Sequence, residues 1–199
     1  TRGGERVTGG APIGPIIRAV DLFCGVGGLT HGLSRGGVEV VAGYDLDPSC
    51  RFAFEANNKA TFVEKDVGEL TASEIIDRLG EGAITLVAGC APCQPFSTYS
   101  RTGRADGRNA DWGLVAKFGR LVQDVQPDLV TMENVPALQS HPEFVEFVQA
   151  LEGYAVAYRV VQCANIGVPQ TRKRLVLVAS KLGNVPPSLD WPNEDKVTV

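Results

Sequence analysis

The chain has 199 residues, 44% of them hydrophobic and 21% charged, with a formal net charge of -4. That length suits one globular domain of the usual ~100–200 residues; disorder and coiled coil are excluded, and no apolar run approaches the ~18 residues of a membrane helix. The acidic balance argues against a stand-alone nucleic-acid binder, because neutralising phosphates takes a surplus of Lys and Arg.

Residues 1–15 are rich in Gly and Pro, lack an apolar core and read as a flexible leader rather than a signal peptide. Regular patterning starts at Ile16. The run Ile16 to Phe23 is apolar and β-prone and stops at glycines. Glu39 to Tyr44, Thr61 to Val63, Ile84 to Ala88 and Asp128 to Met132 read the same way, as strands buried on both faces. Helical stretches fall between them. Asp47-Pro48 is an N-cap followed by proline at the first helical position. Thr71 with Glu74, and Ser140 with Glu143, have capping-box spacing. Val115, Phe118, Leu121, Val122 and Val125 keep helical spacing, as do Phe144, Phe147, Val148 and Leu151. This alternation predicts a parallel sheet covered by helices. Ala155 to Gln162 and Arg174 to Ser180 are two more strands. The short stretch between them holds Gly167 and Pro169 without a helical period, so they are expected as antiparallel neighbours. Residues 16–182 thus form the expected domain, and 183–199 a Pro-rich tail.

The turn Asp21 to Thr30 follows the first strand and opens a helix. Its glycines allow a ligand to approach the backbone, and the helix start offers free N–H groups. A tight turn with helix caps accounts for glycines alone. Asp45 and Asp66, however, end the next two strands, where carboxylates meet ribose hydroxyls and an adenine amino group. The spacing is not Gly-x-Gly-x-x-Gly, so a nucleoside without pyrophosphate, such as S-adenosylmethionine, fits better than NAD.

The five cysteines are an odd, irregularly spaced set, which suits free thiols in a reducing, intracellular compartment. Cys90-Ala91-Pro92-Cys93-Gln94-Pro95 follows the fourth strand. It reads as a redox pair, as half a zinc site lacking a second pair (so no metal is expected), or as a loop carrying a nucleophile. Arg172 and Arg174 share one side of an extended segment, where cations lower a thiol pKa or hold a nucleotide. Arg101, Arg104 and Arg108 make the loop 98–111 basic; by itself it reads as a solvated charged loop.

Four segments occur together in this order: Asp21 to Thr30, Ala91 to Ser97, Met132-Glu133-Asn134-Val135 and Gln170-Thr171-Arg172-Lys173-Arg174. As a set they resemble the DNA cytosine-5 methyltransferase family, over about Ala19 to Ala179. The resemblance implies a Rossmann-like α/β fold, a mostly parallel seven-stranded sheet with an antiparallel terminal hairpin. It implies methyl transfer from S-adenosylmethionine, leaving S-adenosylhomocysteine, to carbon 5 of a flipped cytosine in duplex DNA. Cys93 is then the nucleophile and Cys90 has no such role. Glu133, Arg172 and Arg174 complete the catalytic set, and Asn134 ties the loops together. The cofactor residues implied are Phe23, Cys24, Gly25, Val26, Gly27, Gly28, Asp45, Leu46, Asp66, Val67, Pro92 and Leu114. Asp45 stands where a glutamate is common, a shorter reach for the same carboxylate. The family's target-recognition and C-terminal segments have no counterpart in these residues, so a second chain supplying recognition is an expected partner. The same chemistry on tRNA, or a cofactor-binding subunit inactive alone, is the alternative.

Overall fold

The computed structural model describes residues 14–92 and 112–189. Most of the expected leader, the second half of the expected tail, Cys93 and the basic loop 98–111 lie outside the described residues.

Seven strands form one sheet: β1 (Ile17–Leu22), β2 (Glu39–Asp45), β3 (Thr61–Glu64), β4 (Ile84–Gly89), β5 (Leu129–Asn134), β6 (Ala155–Gln162) and β7 (Lys173–Ser180). Their spatial order is β3-β2-β1-β4-β5-β7-β6. The first five are parallel; β7 runs antiparallel to both β5 and β6. Helices α1 (Gly28–Arg35), α2 (Arg51–Asn57), α3 (Ala72–Leu79), α4 (Trp112–Val125) and α5 (Pro142–Gln149) follow successive strands. The fold class expected from the sequence is therefore the one observed. No helix among the described residues is long and apolar enough to cross a membrane.

The sheet centre explains the continuous apolar runs. The last four residues of β1 and of β4 are buried in succession, because helices cover both faces there. Val20, Leu22, Val87, Val130, Met132 and Leu177 are fully buried, each stabilising the fold by about 1.5–3 kcal/mol. Toward the hairpin the pattern changes to strict alternation: Leu175, Leu177 and Ala179 face inward along β7.

Thr71 and Glu74 form the expected capping box, with each side chain bonded to the other's backbone N–H. The Asp47 carboxylate accepts the Ser49 N–H as expected, but it caps a 3-10 turn, Pro48–Cys50, that leads into α2. The second expected box is corrected. Ser140 ends a 3-10 turn, Pro136–Ser140, and His141 is the cap of α5, with no side-chain cap bond. Pro142 causes the shift: a residue before proline is driven out of the helical region, and His141 sits at φ -100, ψ 147.

Between β1 and β4 the strand order reverses. In a doubly wound sheet the loops leaving the strands diverge at that point, and a crevice opens at the carboxyl edge. The loop after β1 carries the glycine turn, and the loop after β4 carries the cysteines.

Candidate active site

One wall of the crevice is backbone. Phe23 adopts φ 59, a left-handed conformation that costs a non-glycine residue on the order of 1 kcal/mol. Gly25 and Gly27 continue in that region at φ 51 and φ 88. Gly27 is required twice over: its φ suits glycine, and a Cβ there would collide with Asn58 Nδ2 and lie 2.7 Å from the Phe54 ring. Nothing lies within 4 Å of a Cβ placed on Gly25 or Gly28, so the turn is open toward a ligand. Val26 and Leu46 flank it at 59% and 66% exposure, unusual for apolar side chains and suited to an apolar ligand surface.

Carboxylates hold this turn in shape. Asp45 Oδ2 accepts the Gly25 N–H at 2.8 Å, and its Oδ1 accepts the Asp47 N–H at 2.9 Å. Asp66 Oδ1 accepts the Gly68 N–H at 2.6 Å and caps the 3-10 turn Val67–Glu69. Asp21 is fully buried. Its Oδ2 accepts both the Thr30 N–H, at 3.1 Å, and the Thr30 hydroxyl, at 2.7 Å. It thereby caps α1, whose own N-cap, Gly27, has no side chain to do so. The other oxygen, Oδ1, is buried without a partner among the described residues. Burial pushes the Asp21 carboxyl up to about 6, while the Thr30 bonds hold it back. Burial also pushes the Cys24 thiol far up, with Asp21 and Asp45 adding to it, so this cysteine packs as a neutral group.

The opposite wall is built from side chains. Register pairs Gly89 with Met132, so one step further Cys90 and Glu133 come alongside at the carboxyl edge. Register also pairs Glu133 with Val176, and Arg174, two residues before Val176, falls on the same face. Its Nε meets Glu133 Oε1 at 2.6 Å, with both side chains partly buried. Burial pushes the Cys90 thiol up, and the adjacent Glu133 carboxylate pushes it further. Cys90 is thus held as a thiol rather than a thiolate. Asn134, buried, donates from Nδ2 to the Ala91 carbonyl at 2.9 Å and accepts the Val135 N–H at 2.8 Å. It fastens the start of the cysteine loop to the loop after β5.

The structure therefore brings Glu133 and Arg174 together, and Pro92 follows the Ala91 carbonyl that Asn134 holds. Arg172 is exposed just ahead of β7, and its carbonyl accepts the Cys163 N–H at 2.9 Å. Cys93 lies outside the described residues. Among the expected cofactor residues, Val67 and Cys24 have buried side chains and offer only backbone to a ligand, while Leu114 is partly buried against the core. The structural part played by Asp21 was not read from the sequence; an acidic residue closing a strand just ahead of a glycine turn is the signal that pointed to it.

The class this architecture defines is the Rossmann-like methyltransferase. The chain superposes on the Entamoeba histolytica methyltransferase EhMeth with a TM-score of 0.71, covering 92% of this chain and 58% of that one at 18% identity, a likeness of fold. The family model for C-5 cytosine-specific DNA methylase matches residues 17–198, and the chain belongs to that family. It is 44% identical over 169 residues to the Type II methylase M.HgiDII of Herpetosiphon aurantiacus, covering 82% of this chain and 47% of the relative. To the Type II methyltransferase M.XorII of Xanthomonas oryzae pv. oryzae it is 37% identical over 183 residues, covering 87% and 42%. The chain thus spans about half the length of these curated relatives.

Proposed function

We propose that this chain carries out methyl transfer to carbon 5 of cytosine in duplex DNA, through a covalent adduct with Cys93 on a flipped base. The observation that carries the reading is the Glu133–Arg174 ion pair at the carboxyl edge, beside the tethered segment that leads into Cys93. The family description, a DNA methylase, favours DNA over tRNA as substrate.

The residues present fit an adenosyl cofactor. The open turn at Gly25 and Gly28 admits a ligand to the backbone, the exposed Val26 and Leu46 offer apolar cover, and Asp45 and Asp66 stand at strand ends. In this reading Asp45 takes the ribose and Asp66 the adenine. When bound, S-adenosylmethionine supplies the electrophilic methyl group that carbon 5 accepts.

Carbon 5 of cytosine is a poor nucleophile. The Cys93 thiolate forms a bond to carbon 6, and the displaced electron pair runs through the ring to nitrogen 3; nitrogen 3 takes up a proton from solvent, and the ionised Glu133, paired with Arg174, accepts the hydrogen bond of that new N–H. Carbon 5 becomes enamine-like. Arg174 keeps Glu133 ionised and holds it in place. After carbon 5 is methylated and loses its proton to a base, the carbon 6–sulfur bond breaks, Cys93 departs as thiolate, and nitrogen 3 returns its proton to solvent. A separate recognition chain or domain supplies the groove contacts, since a net charge of -4 gives this chain little hold on phosphates.

The experiment is adduct trapping. A duplex carrying 5-fluorocytosine, incubated with S-adenosylmethionine and a recognition partner, blocks the proton loss that frees the enzyme. A denaturation-resistant complex is expected with the wild type and with Cys90→Ser, and none with Cys93→Ser. An adduct that survives Cys93→Ser, or disappears in folded Cys90→Ser, overturns the assignment.

A further inference from the structure

Lys117, on α4, stands at the adenine end of the crevice, and nothing described so far uses it. Its ammonium lies against Gly68: a Cβ placed there would collide with Nζ and would lie 3.0 Å from Asp66 Oδ1. The bare Gly68 backbone therefore makes room for the ammonium, which lies on it with the Asp66 carboxylate on its other side. Asp66 Oδ1 is occupied by the Gly68 N–H at 2.6 Å, which fixes the orientation of that carboxylate. Its Oδ2 accepts no bond from a described residue, and Lys117 forms no ion pair with one. Lys117 is only partly buried and carries three donors on a flexible stem.

A carboxylate beside an ammonium presents an acceptor next to a donor. Adenine presents the complement: the exocyclic amino group donates, and a neighbouring ring nitrogen accepts. We propose that Lys117 is a specificity-determining residue for the adenine end of the cofactor, donating to a ring nitrogen while Asp66 accepts from the amino group. This inference rests on the adenosyl-cofactor reading above. A ligand that offered two donors, or two acceptors, would leave either the cation or the carboxylate unmatched, and unmatched polar groups are what make such sites selective.

The test is calorimetry on the full 199-residue chain with S-adenosylhomocysteine and its 1-deaza and 7-deaza analogues, each of which lacks one ring nitrogen beside the amino group. The wild type is expected to lose about tenfold in affinity for one of the two analogues, the size of one hydrogen bond from a charged donor. Lys117→Met is expected to bind S-adenosylhomocysteine about tenfold more weakly and to show no further loss with that analogue, as a double-mutant cycle requires. Lys117→Arg, which keeps charge and donors, recovers part of the affinity. If the wild type binds both analogues like the parent, or Lys117→Met binds like the wild type, the inference is overturned while the cofactor reading stands. If the wild type binds no S-adenosylhomocysteine, both fall together.

Discussion

The two walls of the crevice handle negative charge by different means. On the glycine-turn side, Asp21, Asp45 and Asp66 are met by backbone N–H groups and one hydroxyl. On the hairpin side, Glu133 is met by a full positive charge from Arg174. Neutral donors orient a carboxylate without cancelling its charge, so burial still acts on it, and the Asp21 carboxyl rises to about 6. The contrast teaches a division of labour. The backbone wall fixes the shape of the turn, whereas the side-chain wall holds a carboxylate in an ion pair.

Removing the cation is the sharpest way to break that contrast. Arg174→Ala is expected to lower the rate of methyl transfer to duplex DNA by ~10²–10³-fold with the fold intact. Arg174→Lys recovers part of it, since lysine keeps the charge but not the planar fork. Tritiated-methyl incorporation at matched salt measures both, and wild-type rates in Arg174→Ala would remove the ion pair from the chemistry.

The next effect concerns stability. The folded-state value of Asp21 lies above its ordinary 3.8, so the folded chain keeps a proton that the unfolded chain has released. Its contribution to stability is complete below about pH 3.8 and is lost as pH rises through about 6. Asp21→Asn does not titrate. Urea unfolding at pH 4 and pH 8 should show the stability gap moving toward the variant by roughly 2–3 kcal/mol. A gap that stays flat across that range would mean that Asp21 ionises like an ordinary carboxyl.

Two smaller effects sharpen the backbone side. Asp45→Ala removes the acceptor of the Gly25 N–H, and affinity for S-adenosylhomocysteine should fall about tenfold by calorimetry. Unchanged affinity would detach Asp45 from the cofactor. Thr71→Ala deletes the cap of α3, a reciprocal bond with Glu74 in which neither wall takes part. It should lower stability by about 1 kcal/mol in urea melts and leave cofactor affinity alone; a shift in affinity would instead link α3 to the crevice.

Much of this fold is legible in the sequence, because apolar runs bounded by glycine and charge report strands that are buried on both faces. The runs Ile16 to Phe23, Glu39 to Tyr44 and Ile84 to Ala88 fall on β1, β2 and β4 for that reason, and the final pair is antiparallel as its short connection predicts. The insertion of β7 between β5 and β6 was not, since periodicity reports which face is buried and not which neighbour is paired. The cap of α5 was misplaced by one residue because the spacing of Ser140 and Glu143 matched a motif that Pro142 then displaced. Within the candidate site, motif order pointed to Glu133 and Arg174, and the structure supplied their ion pair. Lys117 was illegible: on a helical pattern it is one more polar residue between apolar ones, and only tertiary approach sets it against Gly68.

The position of β7 also bears on how the chain assembles. β6 leaves the growing chain before β7, yet in the sheet it lies outside β7 and touches β5 nowhere in the strand order. The sheet therefore cannot be laid down strand by strand in the order of synthesis. β6 pairs only with β7, across a short connection, so it joins the sheet only through the docking of β7 on β5. Until that docking step Glu133 has no guanidinium beside it. The charged wall of the crevice thus waits on the last strand of the sheet to be synthesised, and a nascent chain that ends before Lys173 carries Glu133 without its guanidinium.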